Sequence, residues 1–177
     1  MHSAVYAVDR VLPAGPAATR IVGMSVTPLP PVDRRQAALA VLAAKKRTGV
    51  RWADLGKAIG LSTEWTTAAL LGQHPLTAEQ AASLGSVLEL DGDVVDALTL
   101  PPVRGKDVVD TSEPLVYRLQ EMVQVYGSTI HELVREEFGD GIVSAIDFEM
   151  DVERVPDPKG DRVRITLNGK FLPYRTW

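Results

Sequence analysis

Arg118 and Glu121 stand three residues apart in Y-R-L-Q-E-M-V-Q-V-Y-G, a stretch with helical periodicity, so a guanidinium and a carboxylate share one helix face. Ser144 adds a hydroxyl just after Gly139-Asp140-Gly141, at the mouth of a segment that reads as a strand. A permanent cation with a planar fork of donors, a carboxylate and a neutral hydroxyl suit a small anion better than a large ligand. Each also has a plainer reading. Arg118 and Glu121 have the spacing of a surface ion pair. Ser144 is the kind of residue that satisfies local backbone where a strand starts, and Gly-Asp-Gly is usually a turn. Spacing alone leaves both readings standing.

The remaining chemistry is sparse. The chain has no cysteine, which removes disulfides, zinc-thiolate sites and cysteine nucleophiles together and fits a reducing cytoplasm. His2, His74 and His131 do not fall at metal-ligand spacing, so no metal is expected. His131 lies on a polar helix face and reads as solvated. A net charge of -4 gives no bulk case for nucleic acid or an anionic membrane as partner. No apolar run approaches the ~20 residues of a membrane-spanning helix.

The elements that must position these residues fall into an α+β order. Residues 1–30 form an extension broken by Pro13, Pro16, Pro28 and Pro30, read as a disordered or loosely packed arm without a signal-peptide pattern. Residues 31–100 form a five-helix bundle. Asp33 caps a first helix that carries Leu39, Leu42 and Ala43 on one face and stops at Gly49. Trp52, Leu55 and Ile59 mark a second, closed by Gly60. Ser62 caps a third over residues 63–71. Thr77-Ala78-Glu79-Gln80 is a capping box that opens a fourth, and Asp91 or Asp93 starts a fifth before Pro101-Pro102.

Residues 101–113 read as a linker and 114–177 as a second domain. Glu113-Pro114 opens a helix to Tyr126, with Gly127 as a stop or kink and a further helical stretch from Thr129 to Phe138. The period then switches to two. Ile146, Phe148, Met150 and Val152 alternate with acidic residues, and after a turn at 156–161 Val163, Ile165 and Leu167 alternate with Arg162, Arg164 and Thr166. The basic residues of the second strand are placed to face the acidic row of the first. A lone two-stranded hairpin is marginal in water, so pairing with the same hairpin of another subunit is expected.

Residues 52–71 resemble a helix-turn-helix DNA-binding unit. The chemistry disagrees: the recognition helix T-E-W-T-T-A-A-L-L has Glu64 as its one charge and no Arg or Lys. Across 31–100, seven Lys or Arg against eight Asp or Glu leave -1. A bundle used for packing fits better, and no nucleic acid partner is expected.

Read together, the C-terminal motifs say more. Y-R-x-x-E-M-x-Q-V-Y-G at Tyr117–Gly127, F-G-D-G-I-x-S-A-I-D-F at Phe138–Phe148 and L-N-G-K-F-L-P at Leu167–Pro173 resemble the cyanase (cyanate hydratase, cyanate lyase) family. The likeness extends upstream through A-A-L-L-G-Q at Ala68–Gln73 and P-P-x-R-G at Pro101–Gly105 and covers residues 33–177. The extension is the one departure. The resemblance implies a cytoplasmic carbon–nitrogen lyase. In its reaction cyanate and bicarbonate give carbamate and carbon dioxide, and carbamate then gives ammonia and a second carbon dioxide. It places the family's catalytic arginine, glutamate and serine on Arg118, Glu121 and Ser144. It implies no metal or organic cofactor, with bicarbonate as co-substrate, and a decamer of dimers with interlocked hairpins and active sites between subunits. The reading from another class is a helix-turn-helix transcriptional regulator, dimerised by its hairpin and sensing a small anion.

Both proposed substrates are monoanions. Two unit charges ~4 Å apart repel by roughly 4 kcal/mol at an effective dielectric near 20. Arg118 answers that repulsion with a fixed charge and a fork of donors. Ser144 is expected to donate a hydrogen bond, with backbone N–H groups beyond Gly141 adding a dipolar cradle. No histidine base stands in the motif, so Ser144 is not read as an activated nucleophile. Glu121 either orients Arg118 or handles the proton that the cyanate nitrogen receives.

Overall fold

The computed structural model describes residues 32–103 and 109–175. The extension at 1–30 and part of the linker lie outside the described residues. Helices α1 (Arg34–Thr48), α2 (Trp52–Ile59), α3 (Thr63–Leu70), α4 (Ala78–Leu88) and α5 (Gly92–Leu98) precede a long α6 (Pro114–Phe138). Strands β1 (Gly141–Val155) and β2 (Arg162–Pro173) then form one antiparallel hairpin, an α+β order.

Local chemistry sets the helix ends. The Asp33 carboxylate accepts from the Gln36 N–H at 2.8 Å while Gln36 Oε1 accepts from the Asp33 N–H at 2.9 Å. Thr77 and Gln80 repeat this box at α4. Ser62 Oγ caps α3 through the Trp65 N–H. Gly49 and Gly60 close α1 and α2 at positive φ, where a Cβ would be strained.

Packing then chooses the face of α1. Ala37, Val41 and Ala44 are buried, whereas Leu39 is 60% exposed and Leu42 also faces solvent, which corrects the expected Leu39–Leu42–Ala43 face. Both stripes satisfy the helical period. The alanine-rich one allows α4 and α5 to approach closely, and tertiary packing selects it. Two arginines tie the bundle. Arg34 donates to Ala69 O at 2.6 Å, His74 O at 3.0 Å and Ala97 O at 3.4 Å, and burial pulls its pKa down from the usual arginine value. Arg47 donates to Leu88 O and Glu89 O, the open carbonyls at the end of α4.

The C-terminal unit departs from expectation at three places. Helix α6 runs unbroken for 25 residues through Gly127, about 37 Å along its axis. A mid-helix glycine costs only ~1 kcal/mol relative to alanine, which the flanking turns carry. No residue of α6 is buried, and Leu115, Met122, Val123, Tyr126, Ile130 and Leu133 face solvent. In the hairpin, Phe148, Met150 and Val152 share a face with Leu167, Ile165 and Val163, but a register break between Val143 and Phe148 takes Ile146 out of that row and leaves it 97% exposed. The match of acidic and basic residues holds at Glu153–Arg164, 2.8 Å apart. Arg162 turns instead to Asp157 in the connecting turn, and Glu149 and Asp151 stand opposite Asn168 and Thr166.

Candidate active site

Arg118 lies early in α6, and its Nη1 donates to Glu121 Oε2 at 2.7 Å. Both side chains are open to solvent, the arginine at 67% and the glutamate at 45%. Among the described residues Glu121 is the one hydrogen-bond acceptor for this guanidinium. Its carbon also lies 5.5 Å from the centroid of the Tyr117 ring. The fork is therefore oriented while other donors remain open to an anion.

Ser144 occupies the opposite kind of environment, only 7% exposed. Residues 144–147 stand opposite Lys170 alone, a wide bulge in β1. Inside it the Ser144 Oγ accepts from the Ile146 N–H at 3.1 Å and the Asp147 N–H at 3.0 Å. A hydroxyl has two acceptor lone pairs and one donor proton. With both lone pairs engaged, the proton is left to donate outward. Two of the backbone N–H groups beyond Gly141, those of Ile146 and Asp147, therefore serve the serine oxygen. Among the described residues no histidine is hydrogen-bonded to Ser144. Among the described residues the partner of His131 is Glu132, and His74 stacks on Trp65.

Two residues that shape the site escape the sequence reading. Gly169 on β2 passes so close to the bulge that a Cβ there would lie 2.5 Å from Ser144 O and 2.5 Å from Val143 Cγ1. The signal was available, since a glycine inside a strand pattern marks close backbone approach. Tyr117 is the second, an aromatic ring immediately before the arginine. Asp147 adds a weak latch across the bulge, 3.7 Å from Lys170 Nζ.

The chain does not join these parts by itself. No hydrogen bond or ion pair among the described residues links Arg118 or Glu121 to Ser144. Arg118 lies 20 residues before Phe138, ~30 Å along the helix axis from the end that leads into β1. The cleft of about 580 Å³ between α3 and the hairpin is a separate feature. Glu64, Glu149 and Asp151 line it with Trp65, His74 and Asn168, so it repels anions and holds none of the three candidate residues. There Glu64 Oε1 accepts from the Val152 N–H at 3.3 Å, which sets the recognition-like helix against its own hairpin. Among the described residues no cluster of His, Asp or Glu is arranged to hold a metal ion, and no helix is long and apolar enough to cross a membrane.

Comparison with known proteins covers both units. Residues 34–102 match the family "Cyanate hydratase, N-terminal" and residues 108–176 the family "Cyanate lyase C-terminal domain". The chain is 54% identical over 147 residues to the cyanate hydratase of Thiobacillus denitrificans, spanning 82% of this chain and 100% of that one. It is 49% identical over 147 residues to the cyanate hydratase of Ralstonia pickettii, with the same coverage. Among solved structures it is similar to cyanase from T. urticae, with a TM-score of 0.70 and 33% identity over 77% of this chain and 96% of that one.

Proposed function

This chain belongs to the cyanate hydratase (cyanate lyase) family of carbon–nitrogen lyases, and from that premise we propose how its residues perform the reaction. The substrates are cyanate and bicarbonate. The bicarbonate oxygen attacks the cyanate carbon to give a dianionic adduct. Nitrogen takes up one proton from solution and, as carbon dioxide leaves, the proton that bicarbonate carried, which leaves carbamate. Carbamate takes a second proton and separates into ammonia and carbon dioxide.

The observation that carries this reading is the Arg118–Glu121 pair, a guanidinium aimed by a carboxylate with its other donors open. Arg118 offsets the repulsion between the two anions and binds the dianion best, so its stabilisation grows toward the transition state. Glu121 orients the fork, and we assign to its carboxyl group the delivery of the proton to nitrogen. The Ser144 hydroxyl, locked by its two accepted N–H bonds, donates to a substrate oxygen or nitrogen. Proximity supplies the rest, and neither a metal nor an organic cofactor takes part.

The site is completed between copies of the chain. Support comes from a long helix with no buried residue, a hairpin whose apolar face is open, and a catalytic pair that its own chain does not join to Ser144. A decamer built from dimers is the assembly proposed. A cysteine-free chain suits the reducing cytoplasm, where we place it. The regulator reading finds no support in the comparisons. The test is ammonia release from cyanate by the purified protein with and without bicarbonate. Release that needs bicarbonate is expected, and steady release after its rigorous removal would mean simple hydrolysis.

A further inference from the structure

We propose that Tyr117 is a positioning residue for Arg118, holding the guanidinium in the plane and place where it meets the substrate anions. The inference rests on the role given to Arg118 above. Tyr117 and Glu121 are four residues apart, so they lie one above the other on α6. Residues next to each other on a helix do not face one another. Arg118 reaches the ring of its neighbour only by laying its head across the gap between positions 117 and 121. There the guanidinium carbon is 5.5 Å from the ring centroid, and Nη1 is 2.7 Å from Glu121 Oε2.

The two contacts fix different freedoms. The carboxylate sets where one nitrogen points, while the ring sets how the head sits above the helix. A flexible arginine with a single partner still swings about that bond, and an arriving anion would have to order it. The π-face is also electron-rich, so it favours the cation and turns anions away from that flank. Recognition becomes one-sided, through the donors that neither neighbour uses. Nothing in this arrangement needs the phenolic hydroxyl.

Steady-state kinetics of Tyr117→Phe, Tyr117→Leu and Arg118→Lys, each checked for assembly by light scattering, test the idea. Tyr117→Phe keeps the ring and is expected within about twofold of wild type, since the cation–π contact survives. Tyr117→Leu is expected to raise the KM for the anions roughly fivefold, the upper end for a solvent-exposed cation–π contact, with a smaller change in kcat. Tyr117→Met fills the volume without a π-face and gives the same reading if the leucine variant fails to assemble. Wild-type kinetics in both ring-less variants overturn the proposal. So does equal impairment in Tyr117→Phe, which would assign the work to the hydroxyl. Arg118→Lys separates the two levels: full activity there sinks the role of Arg118 itself, whereas an inactive Arg118→Lys beside unimpaired ring-less variants sinks only the role of Tyr117.

Discussion

Arg118 Nη1 and Glu121 Oε2 are bonded at 2.7 Å across one turn of an exposed helix. A pair so open to water contributes at most about 0.5 kcal/mol to stability, and the role proposed for it is to aim the guanidinium. Lysine would keep the charge and lose the fork. Arg118→Lys is therefore expected to lower kcat/KM by roughly 10- to 100-fold, the worth of a charge-assisted hydrogen bond. The thermal midpoint and the oligomer should stay as they are. Unchanged turnover in this variant would remove Arg118 from the proposed chemistry.

Gly169 carries a prediction about Ser144. A methyl group at this position meets Ser144 O and Val143 Cγ1 at 2.5 Å, too close for any rotamer change at a backbone oxygen to relieve. The bulge has to shift, and the hydroxyl shifts with it. Displacement of a reacting group by ~1 Å costs on the order of 100-fold in rate. Gly169→Ala should show that loss in ammonia release while far-UV circular dichroism keeps its helical signal. An alanine variant with normal activity would mean the bulge tolerates the strain and does not set the hydroxyl.

Thr66 tests the bundle core. Its side chain is fully buried in α3, and its Oγ1 has no hydrogen-bond partner among the described residues. A buried hydroxyl without a partner forfeits its hydration. Thr66→Val keeps the shape and removes the hydroxyl, and is expected to stabilise by about 1 kcal/mol, read as a raised thermal midpoint at fixed protein concentration. A lowered midpoint would mean the hydroxyl does useful bonding in solution.

Asp157 gives the hairpin turn an acid dependence. The Lys159 backbone N–H, and then the Arg162 guanidinium, hold its carboxyl below the ordinary value of 3.8. A depressed carboxyl pKa adds stability that is fully present above the unfolded value and is lost as pH falls through the folded one. The gap in thermal midpoint between wild type and Asp157→Ala should therefore be widest near neutrality and shrink below about pH 4. A gap that stays constant into strong acid would show that the ionised carboxylate is not its source.

Local chemistry made much of this fold legible. Asp33, Ser62 and Thr77 act as the caps their types announce, and Gly49 and Gly60 stop the helices they follow. Alternation fixed the hairpin and its apolar face. Tertiary choices were not legible. Two apolar stripes on α1 obey the same period, and only packing against the other helices selects Ala37, Val41 and Ala44. Gly127 looked like a stop because its intrinsic cost is visible in sequence and the support of the surrounding helix is not. The bulge at 144–147 was hidden because alternation carried Ile146 in phase with Phe148, and only Asn168-Gly169 hinted at a break. For the site, residue types pointed to an anion, motif resemblance supplied the reaction, and neither revealed Tyr117 as a neighbour of the guanidinium.

The proposed site joins Arg118 and Glu121 of one chain to Ser144 of another. Mixed oligomers test it most directly. Arg118→Lys and Ser144→Ala chains, each expected to be strongly impaired alone, are co-expressed so that subunits assemble at random, and ammonia release is measured from cyanate and bicarbonate. Sites that draw their intact arginine from one variant and their intact serine from the other should restore activity well above both parents. Activity no greater than that of the parents, in oligomers shown to contain both chains, would place the whole trio within a single chain and contradict the shared site.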